Sequence, residues 1–230
     1  MNKMKYFLMV CLMGMATVSY AQFTNSQKSS ISGGSSNAEA WQGLRVSFHP
    51  ISLCPDKGDS MSATAFSLGY VKSFGVSQNI PLFVETGANV MWTSKDFADE
   101  YDDFFDEEEK FKLNMFSVNI PVNFGYKYQI NDNIALFPYI GANFRVNVSG
   151  KLKWEDEDDS ESFDVFKKDD MKELEIFGED TCKRFQFGWQ IGVALHANKF
   201  SVSASYGKDF SEISKKTKVA MPSITVGWNF

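Results

Sequence analysis

The sequence predicts an all-β fold, an eight-stranded antiparallel up-and-down transmembrane barrel with long external loops, and three observations carry that expectation. Apolar side chains recur at every second position through eight segments of the 230-residue chain. The positions between them hold small or hydrogen-bonding residues. The connections alternate between tight and long. Successive strand side chains point to opposite faces, and an apolar outside around a polar inside is what a barrel in lipid requires.

The elements follow in order. Residues 1–21 are expected to be a signal peptide, since Lys3 and Lys5 precede the apolar run "YFLMVCLMGMA" and Ala21 closes a small-residue "SYA" site. That run is about half of the roughly 20 residues a membrane helix needs. Cys11 lies inside it, which argues against a lipid anchor on that thiol. Residues 22–40, rich in Ser, Gly and Asn without periodicity, predict a flexible periplasmic linker.

The barrel is expected over residues 41–230. Leu44, Val46 and Phe48 share a face in the first strand, about residues 41–53, and Phe66, Leu68 and Tyr70 do so in the second, about 61–75. Leu82, Val84, Ala88, Val90 and Trp92 mark the third. In "VNIPVNFGYKY" the alternation runs from Val118 through Ile120, Val122, Phe124 and Tyr126 to Tyr128. Leu136, Ile140, Phe144 and Val146 mark the fifth strand; Phe185, Phe187, Trp189, Ile191, Val193 and Leu195 mark the sixth. Phe200, Val202 and Tyr206 form the seventh, and Ile224, Val226, Trp228 and Phe230 the eighth. The turns "SQN", "QINDN" and "ANK" are short, whereas residues 95–110 and 149–181 make long connections. Short turns on one side and long loops on the other put the long ones outside the cell.

The other face separates this barrel from a soluble ligand barrel such as a lipocalin, whose alternate apolar residues point inward. Here it carries Ser47, Ser67, Gly87, Asn89, Asn119, Asn123, Asn143, Gln186, Gln190 and Gly227, which suit a narrow polar lumen. Trp41, Trp92, Tyr126, Tyr128, Trp228 and Phe230 fall near strand ends, where aromatic girdles sit.

The stretches "VNIPVNFGYKYQI", "LFPYIGANFRV", "FQFGWQIGVALHANKFSVSASYGKDF" and "ITVGWNF" resemble the small outer-membrane β-barrel family common in Bacteroidota, often labelled porin-like. The resemblance spans about Trp41 to Phe230 and leaves the long loops uncovered. It implies a place in the outer membrane, with outer-membrane lipid as surroundings, and it transfers no catalytic residue. It also implies that Phe230, in the last strand, is the aromatic signal read by the barrel assembly machinery.

Charge narrows the partners. The whole chain carries a formal charge of −6, and Lys3 and Lys5 lie in the leader, so the exported part is more negative still. That disfavours nucleic acid. Arg45, Glu85, Arg145 and Arg184 share inward parity and are expected to form a polar network in the lumen; the alternative is a small gated diffusion pore. An enzyme that modifies lipid is the third reading, resting on His49 near Ser47, with the only other histidine, His196, at the opposite end. Neighbouring side chains two residues apart provide no oxyanion hole or orienting acid by themselves. The expectation is therefore a non-enzymatic protein without a cofactor.

Of the 29 acidic residues, 22 fall in residues 96–109 and 155–180. Asp102, Asp103, Asp106, Glu107, Glu108 and Glu109 lie in the first stretch, and Asp156, Asp158 and Asp159 in the second. Neither stretch has the regular calcium spacing with its glycine and distal Glu. Interspersed aromatics such as Phe104, Phe105 and Phe163 distinguish them from purely solvating tails. The expected partners are lipopolysaccharide, bridged by divalent cations, or basic surface ligands; the competing expectation is charge that only keeps the loops soluble. Cys54 and Cys182 both fall at the external end and leave open a bridge or two separate thiols.

Overall fold

The computed structural model describes residues 40–56, 60–77, 80–97, 110–155, 160–173 and 181–230. They form β1 (Gln42–Pro55), β2 (Met61–Gly75), β3 (Leu82–Asp96), β4 (Lys110–Tyr126), β5 (Tyr128–Asn131), β6 (Ile134–Glu155), β7 (Ser160–Asp164), α1 (Lys168–Glu173), β8 (Phe185–Ala197), β9 (Phe200–Asp209) and β10 (Thr217–Asn229). The predicted signal peptide and linker lie outside the described residues.

Eight of these strands close on themselves in the order β1–β2–β3–β4–β6–β8–β9–β10, with β10 paired back to β1 and β4 to β6, all antiparallel. The expected eight-stranded antiparallel barrel is the fold. β5 continues β4 past Lys127 and pairs with the start of β6, and β7 folds back on the far end of β6. The pairing has a stagger. Followed once around from Leu195 through Val202, Val226, Val46, Leu68, Val90, Val118 and Val146, it returns to β8 at Phe185, ten residues from its start. A staggered closure tilts the strands, to about 35–45° in barrels of this type.

Period-two alternation decides which way each side chain points. Leu44, Val46, Phe66, Leu68, Val90, Ile140, Ile191, Val202, Ile224 and Val226 are exposed on the outside, a continuous apolar surface that water would penalise and lipid accepts. Phe200 meets Trp228 edge-on at 4.6 Å, and Tyr70 lies 6.3 Å from Phe230, at the end that carries the short turns. The Phe230 N–H donates to the Gln42 carbonyl at 3.0 Å, tying the last residue to the first strand.

Those turns are held locally. The Asn131 side-chain oxygen accepts from the N–H groups of Asn133 and Ile134, both at 2.9 Å, and Asn198 adopts φ 52° between β8 and β9, a conformation asparagine tolerates.

Two interruptions in the ladder trace to proline, which has no N–H to donate. Between β3 and β4, Gly87 and Ala88 lack ladder partners where β4 carries Pro121, and the Thr86 hydroxyl donates to the Pro121 carbonyl at 2.9 Å instead. Between β1 and β10, residues 49–51 and 221–223 do not pair although the register is kept on both sides, and that register sets Pro50 opposite Pro222.

The eight strands that close the barrel are unequal, from 10 residues in β9 to 22 in β6. About 9–11 residues cross a bilayer, so β4 and β6 project past the external side and carry β7 there.

The register puts Leu68 beside Val46 and Val90 in the middle of the outer face. Leu68→Arg is expected to destabilise the barrel by about 2–4 kcal/mol, the cost of arginine on a lipid-facing midplane position, as measured by urea unfolding in lipid vesicles. A loss below ~1 kcal/mol there places that ring away from the hydrocarbon core.

Candidate functional site: a lumen in three layers

The interior of the barrel changes character along its length. At the end with the short turns it is aromatic. Trp41, Phe83 and Phe137 are buried, with the Trp41 ring 5.1 Å from Phe83, 4.9 Å from Phe137 and 4.8 Å from His196. The Lys127 ammonium lies 4.9 Å from the Trp41 ring centre, where a cation–π attraction operates. Trp41 does not join the outer girdle that its place near a strand end predicts; it turns inward because the next strand residue, Gln42, takes the outer position. Together these rings plug the lumen.

Above the plug lies a hydrogen-bonded layer. The Trp41 indole N–H donates to Glu85 Oε2 at 2.6 Å, and the Arg45 guanidinium stands 3.7 Å from the same oxygen. Asn123 donates to Glu85 Oε1 at 3.4 Å and accepts a hydrogen bond from Gln190. Gly227 pairs with Arg45 across the β1–β10 seam, and a Cβ at Gly227 would sit 2.5 Å from Arg45 Nη1; the glycine leaves the guanidinium its space. Higher up, Arg145, 3 % exposed, is paired with Asp209 and reaches Met221 Sδ at 3.6 Å. Ser117 donates to Asn147 at 2.7 Å, and Asn147 to Gln186 at 2.6 Å.

The third layer is apolar, which the polar-lumen expectation missed. Between the polar layer and the external rim is a cavity of about 230 Å³. Its walls include Ile51, Leu53, Met91, Met115, Leu152 and Val219, and the segment around α1 contributes Val165 and Met171. That segment is fastened over the barrel: Val165 N–H donates to the Gly150 carbonyl at 3.2 Å and Cys182 N–H to the Val165 carbonyl at 2.9 Å. Asp170 accepts from the Asp164 N–H at 3.0 Å, and this bond above all holds its carboxyl below the ordinary carboxylate range.

Arg184 is not a lumen residue. It is exposed at the rim, outside β8, where it donates to the Val148 carbonyl at 2.8 Å and stacks 4.1 Å from the Phe166 ring. Its carbonyl partners belong to the bulge in β6 where the register shifts between Phe116 and Ser117. Cys54 and Cys182 are both free thiols, so no bridge joins them. Cys182 lines the cavity, and burial pushes its thiol up to about 11.

The histidine candidate does not assemble as the spacing suggested. His49 Nε2 hydrogen-bonds Ser67 Oγ at 2.9 Å, while Ser47 accepts from Thr225 at 2.8 Å. His49 Nδ1 is buried and has no hydrogen-bond partner, so no acid orients the ring. Asp102, Asp103, Asp106, Glu107, Glu108, Glu109, Asp156, Asp158 and Asp159 lie outside the described residues. Among the described residues no group of three metal-ligating side chains comes together.

Residues 20–211 match the family model for the outer membrane protein beta-barrel domain. The chain belongs to that family. As one of these barrels it is a transmembrane protein of the outer membrane, and it crosses with strands; among the described residues no helix is long and apolar enough to span a bilayer. No curated protein matches the chain. Among solved structures it is similar to the attachment invasion locus protein Ail of Yersinia pestis, crystallised with the heparin analogue sucrose octasulfate, at 19% identity over 84% of this chain and 99% of that one, with a TM-score of 0.44. It is also similar to Neisserial surface protein A, at 10% identity over 82% and 97% of the two chains and a TM-score of 0.42. A major outer membrane protein of Thermus thermophilus gives 12% identity over 82% and 99%, with a TM-score of 0.41.

Two outcomes are expected from this outer-membrane barrel's interior. Asp209→Ala leaves the Arg145 charge buried without its partner and is expected to cost about 3–5 kcal/mol; the paired change Arg145→Met with Asp209→Leu should cost much less, both by urea unfolding in vesicles. In a Cys54→Ser background, alkylation of Cys182 should rise about tenfold per pH unit and level off only near pH 11, because the reactive thiolate is scarce below that value. A plateau by pH 9 contradicts the burial.

Proposed function

We propose that this protein is a non-enzymatic structural and interaction protein of the cell surface, with its N-terminus in the periplasm and its long acidic loops outside. The observation that carries the reading is the plugged lumen. A conducting pore needs a continuous wet path, and Trp41, Phe83, Phe137 and His196 occupy the lumen at one end while an ion-paired layer fills the middle. An eight-stranded barrel is just wide enough for side chains to fill. Against an enzyme stands the geometry of His49, which has a serine partner but no orienting acid on its other ring nitrogen.

The interaction role rests on the uneven rim. The longest strands, β4 and β6, lift β7 and α1 above the bilayer, and the acid-rich connections leave from these elements. Carboxylates next to the anionic sugars and phosphates of lipopolysaccharide call for divalent cations, or for a basic partner, to screen them. The barrel assembly machinery is the further partner, meeting the last strand at Phe230.

Two measurements test this reading. Pure protein in planar bilayers should show no steady conductance; steady conductance in the unaltered protein overturns the plug. Replacing the nine acids of residues 96–109 by Asn or Gln should weaken binding of calcium-bridged lipopolysaccharide or of basic peptides to whole cells. If neither binding changes, the loop charge has no recognition role.

A further inference from the structure

The apolar cavity has no part in a purely structural barrel, and it lies beside one of the two proline-broken lines in the wall. An apolar cavity of about 150 Å³ stays dry and takes up benzene; this one is about 230 Å³. Four methionines, Met61, Met91, Met115 and Met171, line it, and the fifth of the barrel, Met221, packs in the wall beside Ile51 and Val219. Methionine fills irregular space and adapts to varied apolar partners. The polar groups at the cavity floor are already engaged: Arg145 with Asp209 and Met221, Asn147 with Ser117 and Gln186. An occupant therefore meets hydrocarbon and no unmatched charge.

The unpaired stretch of the β1–β10 seam adjoins this space. Pro50 and Pro222 break the ladder there, and their outward neighbours Phe48 and Ile224 are 40% and 58% exposed, within the lipid-facing surface. Directly inside the break are Ile51 and Met221, of which Ile51 also lines the cavity. A strand pair without its cross-strand bonds parts at lower cost than the laddered wall around it.

We propose that the cavity holds a hydrocarbon chain of a membrane lipid, admitted from the bilayer at the proline-broken seam between β1 and β10. The proposal goes beyond the surface role and does not depend on the acidic loops.

The methionines make the test direct, since those with side chains facing the lumen report what enters it. Met91 and Met115 are 1% and 4% exposed, so neither touches the lipid outside. The exported protein, labelled with carbon-13 at its methionine methyls, is placed in nanodiscs of dimyristoyl phosphatidylcholine. Nuclear Overhauser contacts from acyl-chain methylenes to the methyls of Met91 and Met115 are expected. Ala63→Phe, which fills the cavity from β2, should abolish them while methyl shift dispersion and heat-modifiable gel mobility report an intact barrel. Absence of the contacts in the unaltered protein, or their survival in Ala63→Phe, overturns the site. In nanodiscs of deuterated lipid, added toluene should give contacts only in competition with the chain; contacts from toluene with none from lipid in the protonated discs overturn the lipid as occupant. Pro50→Val with Pro222→Val restores both N–H groups and should cut the acyl contacts at least fivefold without reducing those from toluene. Unchanged acyl contacts in that variant overturn the route through the seam.

Discussion

A backbone crossing hydrocarbon has no water to pair its N–H and C=O groups, and the rest of this structure depends on that constraint. Only a sheet closed on itself satisfies every strand, so β10 must meet β1, and the Phe230 N–H is bonded to Gln42 at the meeting point. Closure in turn fixes two faces for each strand. Once lipid claims one, whatever lies at the alternate positions must fill a narrow tube, and no strand is free to face solvent.

Filling that tube takes different chemistry at different depths. Near the short turns, rings pack against one another and against a lysine, excluding water by bulk. In the middle, charges are buried, and each survives through a partner on a different strand: Arg45 on β1 with Glu85 on β3, Arg145 on β6 with Asp209 on β9. These pairs lock strands that are not neighbours and so resist shear of the wall. At the external end side chains no longer fill the width, and the tube holds space.

The lipid face was legible because it repeats. Val46, Leu68, Val90 and Val226 obey one rule over many strands, and the register aligns them. The lumen was legible only in part. Parity placed Arg45, Glu85 and Arg145 inside, yet Asp209 lies 64 residues from Arg145, and alternation carries no information on which inward residues meet. Arg184 went astray because β8 begins one residue later, so the strand rule did not reach it. The cavity could have been found: Ile51, Leu53, Met91, Met115, Val219 and Met221 keep the inward phase of their strands and are apolar, a departure visible once the inner face is read for what it should not contain. What closes over it could not, since Val165 lies in the turn after β7 and Met171 in a six-residue helix, neither with such periodicity.

The unequal strands give this cylinder a front and a back. β8 and β9 stop near the bilayer, whereas β4 and β6 continue beyond it with β7 attached on one side only. Rotation about the membrane normal is thereby a distinguishable coordinate. Two copies, or a copy and a different neighbour, sliding past each other in a crowded leaflet collide high on one flank and clear each other on the opposite one. A barrel whose wall looks uniform to lipid is thus directional to everything that diffuses above it.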